Sequence, residues 1–458
     1  MTHGIGSNRP DGKSWRCMVL SAALVCFGYS GVIKADFFQA LQAYEQENYA
    51  AAYSGFSELI VLGNAQAAFN LGVMYYHGRE VEANHIESLA YLHLARALGN
   101  DDAVAVQQHI SAQLSESERR LARLRYEALQ QQVVIRDDAA ATQLYDLVQL
   151  QPLQTPMPVF PDEVHRRSRF GYIVVRFLVD KDGSVPVVDI IDSYPSGNYE
   201  RSTLRTLKRW KFEPTGQQHL LSTQLNFWVP GSLRAREVEH LLTRDKIWDY
   251  AALGVSAYQE YVGSILHLIH IASGKQTYVD ESLPDEGIAP DFTELLRQQT
   301  LSFRHRQFLG YTLVHVDENG RIDSVLAAHA LEAPDSADLI GQRIRGANAG
   351  RYSISRPSRR DAILVQKLYP IPRQHTADFW WGEAAKNGNL KAQRILANQR
   401  IDWQFYLLQQ QDLASMAWHG VRLTLDGEHE QGLVLLRQAA GQGYSVAEEL
   451  LSVLIADE

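Results

Sequence analysis

The chain has 458 residues, 45% of them apolar and 21% charged, with a formal net charge of −9. Such a composition belongs to an ordinary globular polypeptide of roughly three domains and excludes a disordered or collagen-like one. The acidic balance leaves no electrostatic footprint for nucleic acid or for an anionic membrane surface. Residues 1–35 read as a secretory signal: Arg9, Lys13 and Arg16 form a basic start, Cys17–Gly28 is apolar, and Ala35 is a small residue before Asp36. Cys17 to Ile33 is 17 residues, the short limit of a membrane span, so the alternative is an uncleaved anchor. Both cysteines, Cys17 and Cys26, lie in this segment. A chain cut after Ala35 therefore has no thiol for disulfides, thiol catalysis or cysteine–zinc sites. Its charge becomes 40 − 52 = −12, because Arg9, Lys13, Arg16, Lys34 and Asp11 are lost.

Residues 36–135 are helical and repetitive. Gly63-Asn64-x-x-Ala67 returns as Gly99-Asn100-x-x-Ala103, 36 residues later, with Leu71-Gly72, Ala90, Leu94, Ala95 and Ala97 between. Small residues at fixed places let paired helices approach, and the glycines end helices. Phe37–Asn48 is expected as the preceding helix. Ser115–Gln132 is expected as a closing one, opened by Ser115-Glu116-Ser117-Glu118. The pattern resembles SEL-one-like repeats, relatives of the tetratricopeptide array, and implies a short α-solenoid.

In residues 150–231 the character changes to strand. Ile173, Val175, Phe177 and Val179 alternate onto one face of a strand over Tyr172–Val179. Asp182-Gly183 is a turn that closes a hairpin onto Val185–Ile191. Asn198 is the expected cap of a basic helix with Glu200 in its first turn, and Tyr199, Leu204, Leu207 and Trp210 share one face. Leu221, Thr223, Leu225, Phe227 and Val229 line one side of a last strand that Pro230-Gly231 ends. The expectation is a small antiparallel sheet packed on one helix. Within Pro156–Pro230 there are 10 basic and 8 acidic residues, net +2, so this is the domain best suited to an acidic partner.

Three features occur in order: Pro158-x-Phe160-Pro161, then Val179-Asp180-x-Asp182-Gly183, then a helix ending Leu207-Lys208-Arg209-Trp210-Lys211-Phe212-Glu213-Pro214. This series resembles the C-terminal domain of TonB proteins, with Phe160 where the family usually has Tyr. The resemblance covers 75 of 458 residues. Taken alone it implies an energy transducer for outer-membrane transport. Transducers of that family carry a Ser and a His in an uncleaved anchor, and a long Pro-rich spacer. Here the apolar segment has Ser21 and Ser30 but no His, and only 15 prolines are spread over the chain.

Residues 236–300 read as a helical linker, with apolar residues at helical spacing in Val238–Leu242 and Trp248–Ile271. Val262–Ile271 is about half a membrane span and is expected as a buried helix. In 301–372, Val316-Asp317-Glu318-Asn319-Gly320-Arg321-Ile322 parallels Val179–Val185 at an offset of 137, and Ala362–Tyr369 is expected as a closing strand. The region is either a degenerate second copy of the central domain or an unrelated α+β segment. Residues 376–458 return to helical repeats, with Gly388-Asn389-x-x-Ala392 matching Gly63-Asn64-x-x-Ala67 and Gly420-Val421 matching Gly72-Val73. The fold class is thus multidomain α+β, with an α-solenoid at each end of the central sheet.

Catalytic signatures such as HExxH, G-x-S-x-G, a P-loop or G-x-G-x-x-G do not occur in the sequence. Asp180-x-Asp182-Gly183 reads as a hairpin rather than a calcium loop. His267/His270 and His77/His85 read as core or surface histidines rather than metal ligands. No catalytic role, cofactor, metal or small-molecule substrate is expected, and the sequence sets no oligomeric state. The expected function is a periplasmic adaptor of the Gram-negative cell envelope; the alternative is a TonB-type transducer anchored in the inner membrane. The final strand would take a peptide from an envelope or outer-membrane protein along Thr223, Gln224, Leu225, Asn226, Phe227 and Trp228. Ser222, Gln224 and Asn226 are the polar side of that strand, and Arg201, Arg205 and Lys208 would attract an acidic peptide.

Overall fold

The repeated Gly-Asn-x-x-Ala signature sets helix starts. Gly63, Gly99 and Gly388 have φ of +69°, +97° and +96°, the left-handed region that favours glycine. The next residue caps a helix: Asn64, Asn100 and Asn389 accept the amide of the alanine three residues on, at 2.8, 3.0 and 2.9 Å. The computed structural model describes residues 36–136, 150–158, 170–228, 235–283, 300–305, 308–329, 336–356 and 358–455. Residues 1–35, expected as a signal, and Val229–Gly231 lie outside them.

The chain opens with α1 (Phe37–Glu45), α2 (Tyr49–Ile60), α3 (Ala65–His77), α4 (His85–Ala97), α5 (Ala103–Gln113) and α6 (Glu116–Gln130). Ser115 and Glu118 form the capping box of α6. Gly72 lets α3 approach α4: a Cβ there would stand 2.9 Å from Leu92, and the Ser88 hydroxyl donates to its carbonyl at 2.7 Å. The chain closes with α12 (Ala377–Lys386), α13 (Leu390–Ala397), α14 (Ile401–Gln409), α15 (Leu413–Leu425), α16 (His429–Gly441) and α17 (Ser445–Ile455). The helical ends are not separate, because α1–α6 and α12–α14 bury one core that includes Phe56, Leu71, Trp381 and Trp403. At their junction the Asn64 amide donates to the Asn387 side chain at 2.6 Å and to the Lys386 carbonyl at 3.0 Å.

Between them stand two sheets. The first has β2 (Phe170–Val179), β3 (Val187–Tyr194) and β5 (His219–Trp228) in the order β3-β2-β5, all antiparallel. A two-stranded ribbon of β1 (Pro152–Gln154) and β4 (Lys211–Phe212) lies beside it. The turn is wider than Asp182-Gly183 alone, since Gly183 (φ +79°) accepts the Phe212 amide at 2.8 Å and is drawn toward β4. Helix α7 (Glu200–Leu207) starts after Tyr199 rather than Asn198. The Glu200 carboxylate does the capping instead, accepting the amides of Gly197 at 2.6 Å and Tyr199 at 3.0 Å. Burial opposes that charge, yet bonds from Ser193, Gly197 and Tyr199 hold its carboxyl below the ordinary value. The inner face of the sheet packs Ile173, Val175, Phe177, Leu225 and Phe227 on Tyr199, Leu207 and Trp210.

Helices α8 (Ala235–Thr243), α9 (Ile247–Ala252) and α10 (Ser256–Ser273) follow. The stretch Trp248–Ile271, expected as helical, is divided between α9 and α10, because Gly254 turns the chain at φ +85°. No helix among the described residues is long and apolar enough to cross a membrane. The expected linker also supplies a strand, β6 (Gln276–Val279). It joins β7 (Gly310–Val316), β8 (Ile322–His329), β9 (Gly350–Arg356) and β10 (Leu364–Ile371) in a sheet of order β6-β10-β9-β7-β8. A four-residue helix, α11 (Ser336–Leu339), lies between β8 and β9.

Three strands of this second sheet, β9-β7-β8, repeat the order β5-β2-β3 of the first. Val179 faces His219 as Val316 faces Gly350, and Phe177 faces Leu221 as Val314 faces Tyr352; the offsets are 316 − 179 = 137 and 350 − 219 = 131 throughout. The turns match as well: Asp180 and Asp317 donate their amides to Ser184 and Arg321 at 2.8 Å, and Phe212 and Ile344 donate to Gly183 and Gly320 at 2.8 and 2.9 Å. The counterpart of β5 is therefore β9, not the expected Ala362–Tyr369 strand. That segment is β10, which adds outside β9.

Candidate functional site

Strand β5 carries the expected site, and the sheet ends there. Among the described residues it pairs with β2 on one side and with no strand on the other. Beside it runs a groove of about 480 Å³ lined by Leu150, Phe177, Trp210, Phe212, Leu221 and Thr223, with Gln151, Pro152 and Ser222 at its margins. Its aromatic wall is fixed in place. The Trp210 indole N–H donates to the Pro156 carbonyl at 2.9 Å, and Phe177 meets the Trp210 ring edge-on at 5.8 Å. Sequence reasoning missed this groove, although Phe177, Trp210 and Phe212 were legible as apolar residues of one domain.

The named residues divide by face. Thr223, Leu225 and Phe227 point to the inner face; Leu225 and Phe227 are buried there, and Phe227 stacks on Tyr199 at 4.2 Å. Gln224 and Asn226 lie on the other face, where they bond each other at 2.7 Å, and Gln224 also meets the His267 ring of α10 at 2.9 Å. The strand backbone includes Trp228, whose side chain lies outside the described residues. Arg201 and Arg205 are exposed on α7. Lys208 departs from expectation: it forms an exposed ion pair with Glu449 of α17 at 2.8 Å, and α7 runs alongside β3 rather than β5.

Much of the polar side of the sheet faces helices, although Asn226 on it is exposed. On it, Arg176 of β2 pairs with Asp189 of β3 at 2.9 Å. The same Asp189 oxygen accepts the Trp418 indole of α15 at 2.7 Å and, at 2.8 Å, the hydroxyl of Tyr444, which lies between α16 and α17. Asp192 accepts the Tyr172 hydroxyl at 2.7 Å and the Lys391 ammonium of α13 at 3.0 Å, and Lys391 also reaches Glu260 of α10 at 2.8 Å. Burial opposes the Lys391 charge, but Asp192 and Glu260 hold it above the ordinary lysine value. His267, between Tyr172 and Trp381, is pushed down to about 4, chiefly by burial. The Arg176–Asp189 pairing was readable from the hairpin register. Its partners more than 200 residues away carried no local signal.

Among the described residues, no group of three or more His, Cys, Asp or Glu is placed to hold a metal ion. Residues 156–229 match the family model for the Gram-negative bacterial TonB protein C-terminal. The central domain is therefore similar to the C-terminal domain of TonB proteins. A TonB protein of Pseudomonas aeruginosa is 29% identical over 65 residues, which are 14% of this chain and 19% of that protein. The chain thus spans about a fifth of the length of that curated relative. The solution structure of the Pseudomonas aeruginosa TonB C-terminal domain is 24% identical and covers 21% of this chain and 100% of its own, with a TM-score of 0.18.

Proposed function

We propose that this chain is a cell-envelope interaction protein that faces the periplasm and takes an extended peptide of a partner protein as a further strand on β5. The observation that carries the proposal is the position of β5, at the end of its sheet beside an aromatic-walled groove. Main-chain bonds along the strand would give affinity, and side chains set into the groove would give specificity. The helical pairs on either side, read as SEL-one-like arrays, serve as the frame that holds the domain.

Energy transduction is the less supported reading. Asp189 and Asp192 clamp the TonB-like domain onto α13, α15 and Tyr444, which is poorly suited to a domain that must travel to a distant transporter.

A photo-crosslinking side chain at Thr223, compared in cells with one at Ser355, tests the proposal. Ser355 holds the place on β9 that Gln224 holds on β5, but β10 already covers it. One discrete adduct with an envelope protein from Thr223, and none from Ser355, is expected. Adducts from both positions, or from neither, overturn strand addition at β5.

A further inference from the structure

At the turn end of the second sheet, arginine faces arginine. Arg321 and Arg343 are antiparallel bridge partners, so their side chains leave the backbone on the same side. Arg345 lies two residues beyond Arg343 with the fully buried Ile344 between them, so alternation sends both arginines outward. Arg345 is in turn bridged to Ser302, and Arg304, two residues past Ser302 and likewise exposed, extends the row. The Arg321 guanidinium donates at 2.9 Å to the carbonyl of Gly341, which directly follows Ile340, an isoleucine 52% exposed.

Like charges placed opposite each other on a sheet destabilise it. The first sheet avoids this: the place of Arg321 and Arg343 is held there by Ser184 and Lys211, and Lys211 has Asp182 at 3.8 Å. In the second sheet Asp317, the nearest acid in the turn, is occupied by the amides of Asn319 and Arg321 at 2.8 Å. Residues 301–372 hold 10 basic and 7 acidic residues, net +3, within a chain of net −9. The whole-chain balance argues against an anionic surface, but screening limits each charge to a reach of about 8–10 Å, so a local row can act by itself.

We propose that this row, Arg304, Arg321, Arg343 and Arg345 with Ile340, is a contact site for an anionic phospholipid surface. Guanidinium forks match phosphate oxygens in pairs, which suits a layer of headgroups. The exposed isoleucine beside them decides for a lipid surface over an acidic polypeptide, because an apolar side chain gains by entering the headgroup boundary. Docking there would hold the chain against a bilayer through its second sheet while β5, on the other sheet, remains the peptide acceptor.

Flotation of the full chain with phosphatidylcholine vesicles, with and without one third phosphatidylglycerol, is the test. Wild type and an Arg321/Arg343/Arg345→Ala variant both carry the N-terminal apolar segment, so its contribution cancels. The variant is expected to lose roughly tenfold or more of the preference for the anionic vesicles. Ile340→Ser should weaken it severalfold, and Arg201/Arg205→Ala should leave it unchanged. The triple variant should melt no lower than wild type, since it relieves facing like charges. Arg343→Gln alone, expected to lose about fivefold, serves if the triple variant fails to fold. An unchanged preference in the variants overturns the proposal. So does retention of an acidic peptide by these arginines with no vesicle binding, which would make the partner a polypeptide.

Discussion

Phe177 faces Leu221 in the first sheet as Val314 faces Tyr352 in the second, yet the first sheet stops at that strand and the second continues into β10. The faces are reversed in the same way. Arg176, on the outer face of the first sheet, pairs with Asp189, which also accepts from Trp418 and Tyr444, and its guanidinium lies 5.0 Å from the Trp418 ring centroid. Leu313 holds the corresponding place in the second sheet and is only half-buried. Among the described residues, one scaffold thus has its outer face covered by helices and no strand beyond β5, and the other has its edge covered by β10 and its outer face partly exposed. A three-stranded sheet must bury enough surface somewhere, and these are two routes to the same end. The difference teaches that one scaffold can be fixed through the face of its sheet or through added strands at its edge.

The largest test of this comparison is the clamp. Asp189→Ala should destabilise the protein by about 3–5 kcal/mol in denaturant unfolding, because it leaves the Arg176 charge buried without its partner. Leu326→Ala on the open face of the second sheet should cost no more than about 0.5–1 kcal/mol, Leu326 being 46% exposed. Equal costs would mean that the faces are covered alike.

Next come the two turn glycines. Gly183 has φ +79° and Gly320 has φ +76°, so alanine is strained at both by about 1–2 kcal/mol. They differ in space: a Cβ at Gly183 would stand 2.0 Å from the Phe212 carbonyl oxygen, whereas at Gly320 the nearest backbone oxygen, of Ala347, is 3.1 Å away. Gly183→Ala should therefore cost about 2–5 kcal/mol, and Gly320→Ala only the strain itself. Comparison of the two melting curves checks the claim that the first turn is pulled tighter onto β4 than the second is onto its own flanking segment.

A smaller effect comes from acid. His267 lies against the first sheet, with its folded pKa lowered to about 4 by burial, while Asp192 acts weakly in the opposite sense. The unfolded histidine titrates near 6.5, so between the two values the unfolded state binds the extra proton. Stability should fall as pH drops from about 6.5 toward 4, by on the order of 2–3 kcal/mol. His267→Gln should flatten that slope. In the second sheet, by contrast, His315 is 42% exposed and bonds Asp323 at 2.8 Å. Acid should consequently loosen the first sheet before the second, seen as early loss of the Trp381 and Trp418 fluorescence environment.

Much of this architecture was legible in the sequence where a local rule decides it. Asp182-Gly183 and Asn319-Gly320 announced both turns, Ser115 and Glu118 announced a helix start, and the Gly-Asn-x-x-Ala signature marked three capped helices. Alternation placed Ile173, Val175 and Phe177 on the inner face. What was not legible depends on partners far away in the chain. Gln224 and Asn226 looked like a wet strand face because nothing near them announces that α10 lies across it. Lys208 looked available because Glu449 is 241 residues distant. Leu364–Ile371 looked like the last strand of a copy because pairing order is a tertiary property, and Gly350–Arg356 is a short segment with two arginines that alternation alone does not mark as a central strand.

The finest prediction separates the two edges without any substitution. In an antiparallel sheet an edge strand bonds its neighbour with every second amide, and the remaining amides point outward. In β9, the residues from Arg351 to Ser355 have β7 on one side and β10 on the other, so successive amides are all engaged. In β5, Ser222 to Leu225 have only β2 among the described residues. Hydrogen exchange should therefore alternate along β5, fast at every second amide, and should be uniformly slow along β9. A peptide that adds to β5 should convert the first pattern into the second and leave β9 unaltered, because β10 already occupies the place it would take. If β5 exchanges as slowly as β9 in the isolated monomer, its edge is already covered, and the contrast between the two sheets reduces to their faces alone.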